Sequence, residues 1–86
     1  MKNKDLLAEF HLLAEKLEIK ILNGRGDFLG GSCIVNNEKV IVINKSKPIE
    51  QILNTLASCF NEYDLNDVFL LPALREYIDS VNKLDF

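Results

Sequence analysis

The sequence SCIVNNEKVIVIN occupies residues 32–44, and this stretch decides the fold. Apolar and β-branched residues dominate both of its ends, which is typical of strands, and polar residues interrupt it in the middle. Asn36 and Asn37 stand in that interruption, and asparagine tolerates the left-handed backbone of tight turns. The stretch therefore predicts a β-hairpin with strands over residues 32–35 and 39–44.

The expected register pairs Val35 with Val40 and Cys33 with Val42. In this register both faces of the hairpin are apolar. Alternate residues of a strand point to opposite faces, so two apolar faces indicate burial on both sides of the sheet. We expect helices to cover one of these faces.

Periodic apolar residues outside the hairpin predict helices over residues 4–17, about 48–63 and about 72–82. A short strand is expected over residues 18–22, before a glycine-rich loop. The order predicts a single α+β domain over residues 1–86, with an N-terminal helix, a three-stranded mainly antiparallel sheet and two C-terminal helices. The first strand is expected to join the hairpin as a second antiparallel neighbour.

The charge of the chain is small and unevenly distributed. Its 86 residues carry a formal net charge of −3, with a slightly basic first half and an acidic second half. Neither half offers the dense basic face that neutralises phosphates, so we expect no nucleic-acid binding. No apolar run approaches the roughly 18–20 residues of a membrane span, and the first residues lack a signal-peptide pattern. We therefore expect no membrane association and a cytoplasmic location.

Few residues in the chain are suited to catalysis. Its one histidine, His11, has no cysteine or serine at a meaningful local spacing, and the two cysteines, Cys33 and Cys59, are far apart. These spacings match no zinc site and no known thiol-enzyme signature, so we predict no metal, no cofactor and no catalytic residue. The alternative that stays open is a small-molecule or peptide binder, or a minimal thiol enzyme, that uses Cys33, Cys59, His11 or the glycine-rich loop.

Two apolar segments lie in otherwise polar or glycine-rich connections. Phe28 and Leu29 stand among glycines, and Phe69 and Leu70 belong to a four-residue apolar run. Such segments either fold back over the sheet to complete the core or form an exposed patch, and exposed patches usually mark an interface. We expect these four residues to contact a second copy of the chain or another protein partner. The resulting hypothesis is a non-enzymatic cytoplasmic interaction domain.

The hairpin and a later leucine–proline segment resemble a family of small bacterial proteins. The residues that carry the resemblance are GGSCIVNN at 30–37, VIVIN at 40–44 and LLPALRE at 70–76. The pattern is similar to proteins of unknown function of the Bacteroidetes type, and the similarity covers residues 5–79. It implies no activity.

A looser resemblance is to the first part of the IrrE-type zinc peptidases. That family also runs from a helix through short strands to a strand end like Val42-Ile43-Asn44, followed by a helix with an H-E-x-x-H motif. The corresponding helix here reads LASCFNE over residues 56–62 and holds neither histidine. No metal-binding residue carries over, so the resemblance implies a metal-free relative.

Overall fold

The hairpin forms two of the three strands of the sheet, and the helices pack on one face of that sheet. A computed structural model describes the backbone of residues 1–84. The elements in chain order are α1 (Asn3–Lys16), β1 (Lys20–Gly24), β2 (Gly31–Val35), β3 (Glu38–Asn44), α2 (Ile49–Phe60) and α3 (Pro72–Leu84). This order confirms the predicted α+β class, with an N-terminal helix, three strands and two further helices.

The hairpin turn is shorter than the sequence suggests. Asn36 and Asn37 have φ angles of 51° and 66°, so these two residues form the turn by themselves. Val35 therefore pairs with Glu38 in an antiparallel ladder. The expected pairing of Val35 with Val40 is wrong by two residues, because the residues after the turn extend β3 instead of forming a longer loop.

The sheet is mixed, with the strand order β1-β3-β2 and β1 parallel to β3. The expected antiparallel pairing of β1 is wrong, and the length of the next connection explains why. At the end of β1, Gly24 lies beside Asn44, and after six intervening residues Gly31 opens β2. Six residues cross two strand spacings of about 5 Å easily, whereas a return along the sheet as well would require an almost fully extended connection. β1 therefore runs antiparallel to β2, and hence parallel to the strand between them.

The connection from β1 to β2 crosses the carboxyl end of β3 and is held there by Asn44. The side-chain amide of Asn44 donates hydrogen bonds to the carbonyl oxygens of Gly26 and Phe28, at 2.7 Å and 2.6 Å. Gly30 has a φ of 91°, and a Cβ at this position would overlap the carbonyl oxygen of Val42. The loop thus fits closely over the end of the central strand.

The core lies between the sheet and the three helices. Ile41 and Ile43 of β3 point into it and are 0% and 1% exposed. Phe10 of α1 stacks on Phe60 of α2, with ring centroids 5.7 Å apart. The other buried apolar residues of this cluster are Leu6, Leu13, Ala14, Ile19, Leu53, Leu56, Ala57, Cys59, Leu70, Leu74 and Ile78. Within the described residues, no helix has the length and apolar character needed to cross a membrane.

Candidate functional site

The sheet face opposite the helices carries apolar side chains without a helix layer above them. Leu22 and Val35 on this face are 48% and 49% exposed. The loop after β1 covers one end of the face through Phe28, whose ring lies against Gly24. We refer to this surface as the open face. The expected burial on both sides of the hairpin is therefore correct for β3 but wrong for β2, because β2 lies at the edge of the sheet.

The outer edge of β2 is the most exposed apolar part of the sheet. Ile34 is 74% exposed, and Cys33 beside it is exposed on the open face. Among the strands of residues 1–84, β2 pairs with β3 on one side and with none on the other. An edge strand presents unpaired backbone N–H and C=O groups that another chain is able to pair with. The edge of β2 is thus both apolar and able to form backbone hydrogen bonds.

A groove of about 410 Å³ separates the start of β2 from α2, and because most of the residues that line it are polar we refer to it as the polar groove. Helical spacing places Gln51, Thr55 and Ser58 along one side of α2, facing the groove, and Glu62 lines the groove just beyond the end of this helix. The hydroxyl of Ser32 on the opposite wall donates to Glu62 Oε2 at 3.1 Å. The groove presents hydroxyl, amide and carboxylate groups, so its chemistry suits hydrogen bonding to a polar ligand.

The three side chains of the alternative thiol hypothesis are placed on different parts of the molecule. Cys59 lines the polar groove, Cys33 lies on β2, and His11 is exposed on α1 and does not line this groove. Burial, with a smaller contribution from the nearby carboxylate of Glu62, raises the pKa of the Cys59 thiol to about 11. The Cys59 thiol is therefore protonated at neutral pH and is a weak nucleophile.

A second, mostly apolar groove of about 110 Å³ lies between α1 and the residues before α3. Phe69 is 71% exposed at its rim, and Lys16 Nζ lies 5.9 Å from the centre of its ring. Leu12 and Leu71 are exposed on the same rim, at 51% and 36%. We refer to Leu12, Phe69 and Leu71 as the groove patch.

The four predicted interface residues have different surroundings. Phe69 and Leu29 are exposed, at 71% and 67%, and their contact with a partner stays a prediction. Phe28 is half-buried against Gly24. Leu70 is 7% exposed and belongs to the core, so its side chain anchors the segment that presents Phe69.

Ile34 and Val35 are exposed apolar residues that the sequence did not single out. Both strands of the hairpin are apolar, and the sequence pattern does not distinguish a central strand from an edge strand. The useful signal was the polar pair Glu38-Lys39 at the start of β3, because a two-residue turn places it opposite Val35 and Ile34. Ile34 and Val35 therefore lie beside the charged side chains of Lys39 and Glu38, which stay in water.

Comparison with known proteins identifies no relative: no protein-family model, no curated protein and no solved structure matches the chain. Within the described residues, no group of three or more histidine, cysteine, aspartate or glutamate side chains is placed to hold a metal ion. The two resemblances drawn from the sequence stay predictions. A function must therefore be argued from the surfaces described above.

Proposed function

We propose that this chain is a small non-enzymatic interaction domain that self-associates or docks to a protein partner. The observation that supports this proposal is the set of large apolar side chains left exposed around the edge of β2 and in the groove patch. Ile34 and Phe69 are each more than two-thirds exposed. Burying an apolar side chain contributes roughly 1.5–3 kcal/mol, so contact with a partner at these positions is favourable.

The chemistry of the polar groove supports binding better than catalysis. Its thiol, Cys59, is protonated at neutral pH, and its carboxylate, Glu62, accepts a hydrogen bond from Ser32. A nucleophile requires an adjacent general base or a lowered pKa. Cys59 has a raised pKa instead, so the thiol-enzyme alternative has less support than the interaction domain.

We place the domain in the cytoplasm as part of the same proposal. Both Cys33 and Cys59 are free thiols, and free thiols are typical of proteins in a reducing compartment. The exposed position of Cys33 makes this a relevant observation, because an oxidising compartment would modify or pair such a thiol.

Light scattering coupled to size-exclusion chromatography tests the proposal. We expect the wild-type chain to exceed its monomer mass of 9.8 kDa as its concentration rises. Removing an apolar contact should shift the chain toward the monomer, so Phe69→Asp tests the groove patch and Ile34→Lys tests the edge of β2. Asn66→Asp is the matched control for the first variant, since it adds the same charge at an exposed polar position of the same connection.

The interaction proposal fails if two results are found together. The wild-type chain stays monomeric at high concentration, and neither apolar substitution changes its solubility or the amount of any protein that co-purifies with it. The proposal is supported if one apolar substitution abolishes association and Asn66→Asp does not.

A further inference from the structure

We propose that the partner is a second copy of this chain, which pairs with the first through antiparallel β2 strands about a twofold axis at Cys33. The two three-stranded sheets then form one six-stranded sheet with all the helices on the same face. This inference rests on the proposed interaction function and specifies its surface and its partner.

The hydrogen-bonding pattern of the hairpin determines which backbone groups face outward. In a two-residue turn the carbonyl of Val35 accepts from the N–H of Glu38, so these residues form a hydrogen-bonded pair. Hydrogen-bonded and non-bonded pairs alternate along an antiparallel ladder. Cys33 is therefore bonded to β3, whereas the N–H and C=O groups of Ser32 and Ile34 point to the free edge.

A twofold axis at Cys33 joins these outward groups. Antiparallel pairing about Cys33 places Ser32 opposite Ile34 of the second copy, and Ile34 opposite Ser32 of the second copy. Each of these pairs exchanges two backbone hydrogen bonds, which gives four bonds across the interface. The two Cys33 residues then face each other as a non-bonded pair, with Cα atoms about 4.5 Å apart.

The side chains around this axis are complementary in charge. On the helix side of the sheet Lys39 is the cross-strand neighbour of Ile34, and Glu62 accepts from Ser32. Pairing Ile34 with Ser32 of the second copy places Lys39 two strand spacings, about 10 Å, from that serine, so the lysine side chain reaches toward Glu62 of that copy, and the twofold axis repeats the contact. Within one chain Lys39 and Glu62 line the same groove, but Lys39 lies over the ring of Tyr63, 5.1 Å from its centre, and among the described residues it forms no ion pair with Glu62.

The side chains are also complementary in shape on the open face. Val35 lies opposite Gly31 of the second copy, and the space above Gly31 is empty, since a Cβ there would meet nothing within 4 Å. Natural edge strands use charged residues, proline or bulges to prevent such pairing. Strand β2 has none of these three features. An extended peptide would use the same backbone groups, but it would not supply Glu62 opposite Lys39.

The first arm of the test is a cross-link at Cys33. Diamide takes up two electrons and two protons from two thiols to leave a disulfide, and the expected Cα separation lies within the disulfide range. We expect rapid covalent dimer formation by the wild-type chain and none by Cys33→Ser, whose non-covalent dimer persists. Cys59 does not replace Cys33 in this reaction, because it is buried.

The second arm measures the dimer dissociation constant of charge variants by sedimentation equilibrium. Lys39→Glu and Glu62→Lys should each raise the dissociation constant roughly tenfold, and the double variant should restore it. Glu76→Lys is the control for Glu62→Lys, since it changes the net charge by the same amount at an exposed position of α3. Melting temperatures of the monomers distinguish lost association from lost folding.

The outcomes separate this inference from the proposed function. A Cys33 cross-link, loss of association by Ile34→Lys and rescue by the double charge variant together support the β2 dimer. A dimer that tolerates Ile34→Lys, forms no Cys33 cross-link and is dissociated by Phe69→Asp overturns the β2 dimer but leaves the interaction function standing. A chain that stays monomeric, without any partner, overturns both.

Discussion

The two faces of β3 carry similar side chains but have different surroundings. Ile41 and Ile43 face the helices and are almost fully buried, whereas Val40 and Val42 face the open side. Val40 is still only 2% exposed, because β3 is the central strand and Lys20 and Cys33 flank it in register. A central position within the sheet therefore buries a small side chain without a second layer. The comparison shows why exposure concentrates on the edge strands and not on β3.

The largest change in stability is expected when one side chain is truncated on each face of β3 in turn. Ile41→Ala should lower the free energy of unfolding by about 2–5 kcal/mol, because it leaves a cavity under the helices. Val42→Ala should lower it by about 1 kcal/mol, since Val42 is only half-buried on the open face. Chemical denaturation of both variants checks this expectation. Equal losses would mean that the two faces are equally packed.

A smaller loss of unfolding free energy is expected when the loop that covers one end of the open face loses its hydrogen bonds to Asn44. Asn44→Ala removes the donor to the carbonyls of Gly26 and Phe28 and should cost about 1–3 kcal/mol. The loop should also become a better protease substrate, so trypsin should cleave after Arg25 faster than in the wild-type chain. Asn23→Ala on β1 is the control, because Asn23 is exposed. Unchanged cleavage in Asn44→Ala would show that other contacts hold the loop.

The smallest effect is expected from the ion pair on the open face. Lys20 Nζ lies 3.3 Å from Glu38 Oε2, and both side chains are more than half exposed. A double-mutant cycle of Lys20→Ala and Glu38→Ala should give a coupling energy below about 0.5 kcal/mol that decreases with added salt. A larger, salt-insensitive coupling would show that something shields the open face from water, as a second molecule covering it would.

The number and order of elements were predictable because their signals are local. Leu53, Leu56 and Phe60 recur at helical spacing, and all three are buried on the expected side of α2. The position of the turn was also predictable from Asn36 and Asn37, but its length was not. A two-residue and a four-residue turn both suit the sequence, and the choice between them depends on where the paired strands finally pack.

The candidate site was only partly predictable, since neighbouring apolar residues give no indication of which one is buried. Phe69 and Leu70 are adjacent in an irregular segment, where no helical or strand period applies. The structure turns Leu70 into the core and leaves Phe69 on the surface. Likewise, the sequence placed Phe28 and Leu29 together, and only Phe28 packs against the sheet.

The sequence by itself determined the α+β class, the three helices, the hairpin and the scarcity of catalytic groups, because periodicity, turn residues and composition act over a few neighbouring residues. The tertiary structure alone decided that β3 is central, that β1 runs parallel to it and that β2 is left as an apolar edge. These features depend on the reach of the six-residue loop over the end of β3 and on which strand the helices cover. Neither is a property of any short segment of the chain.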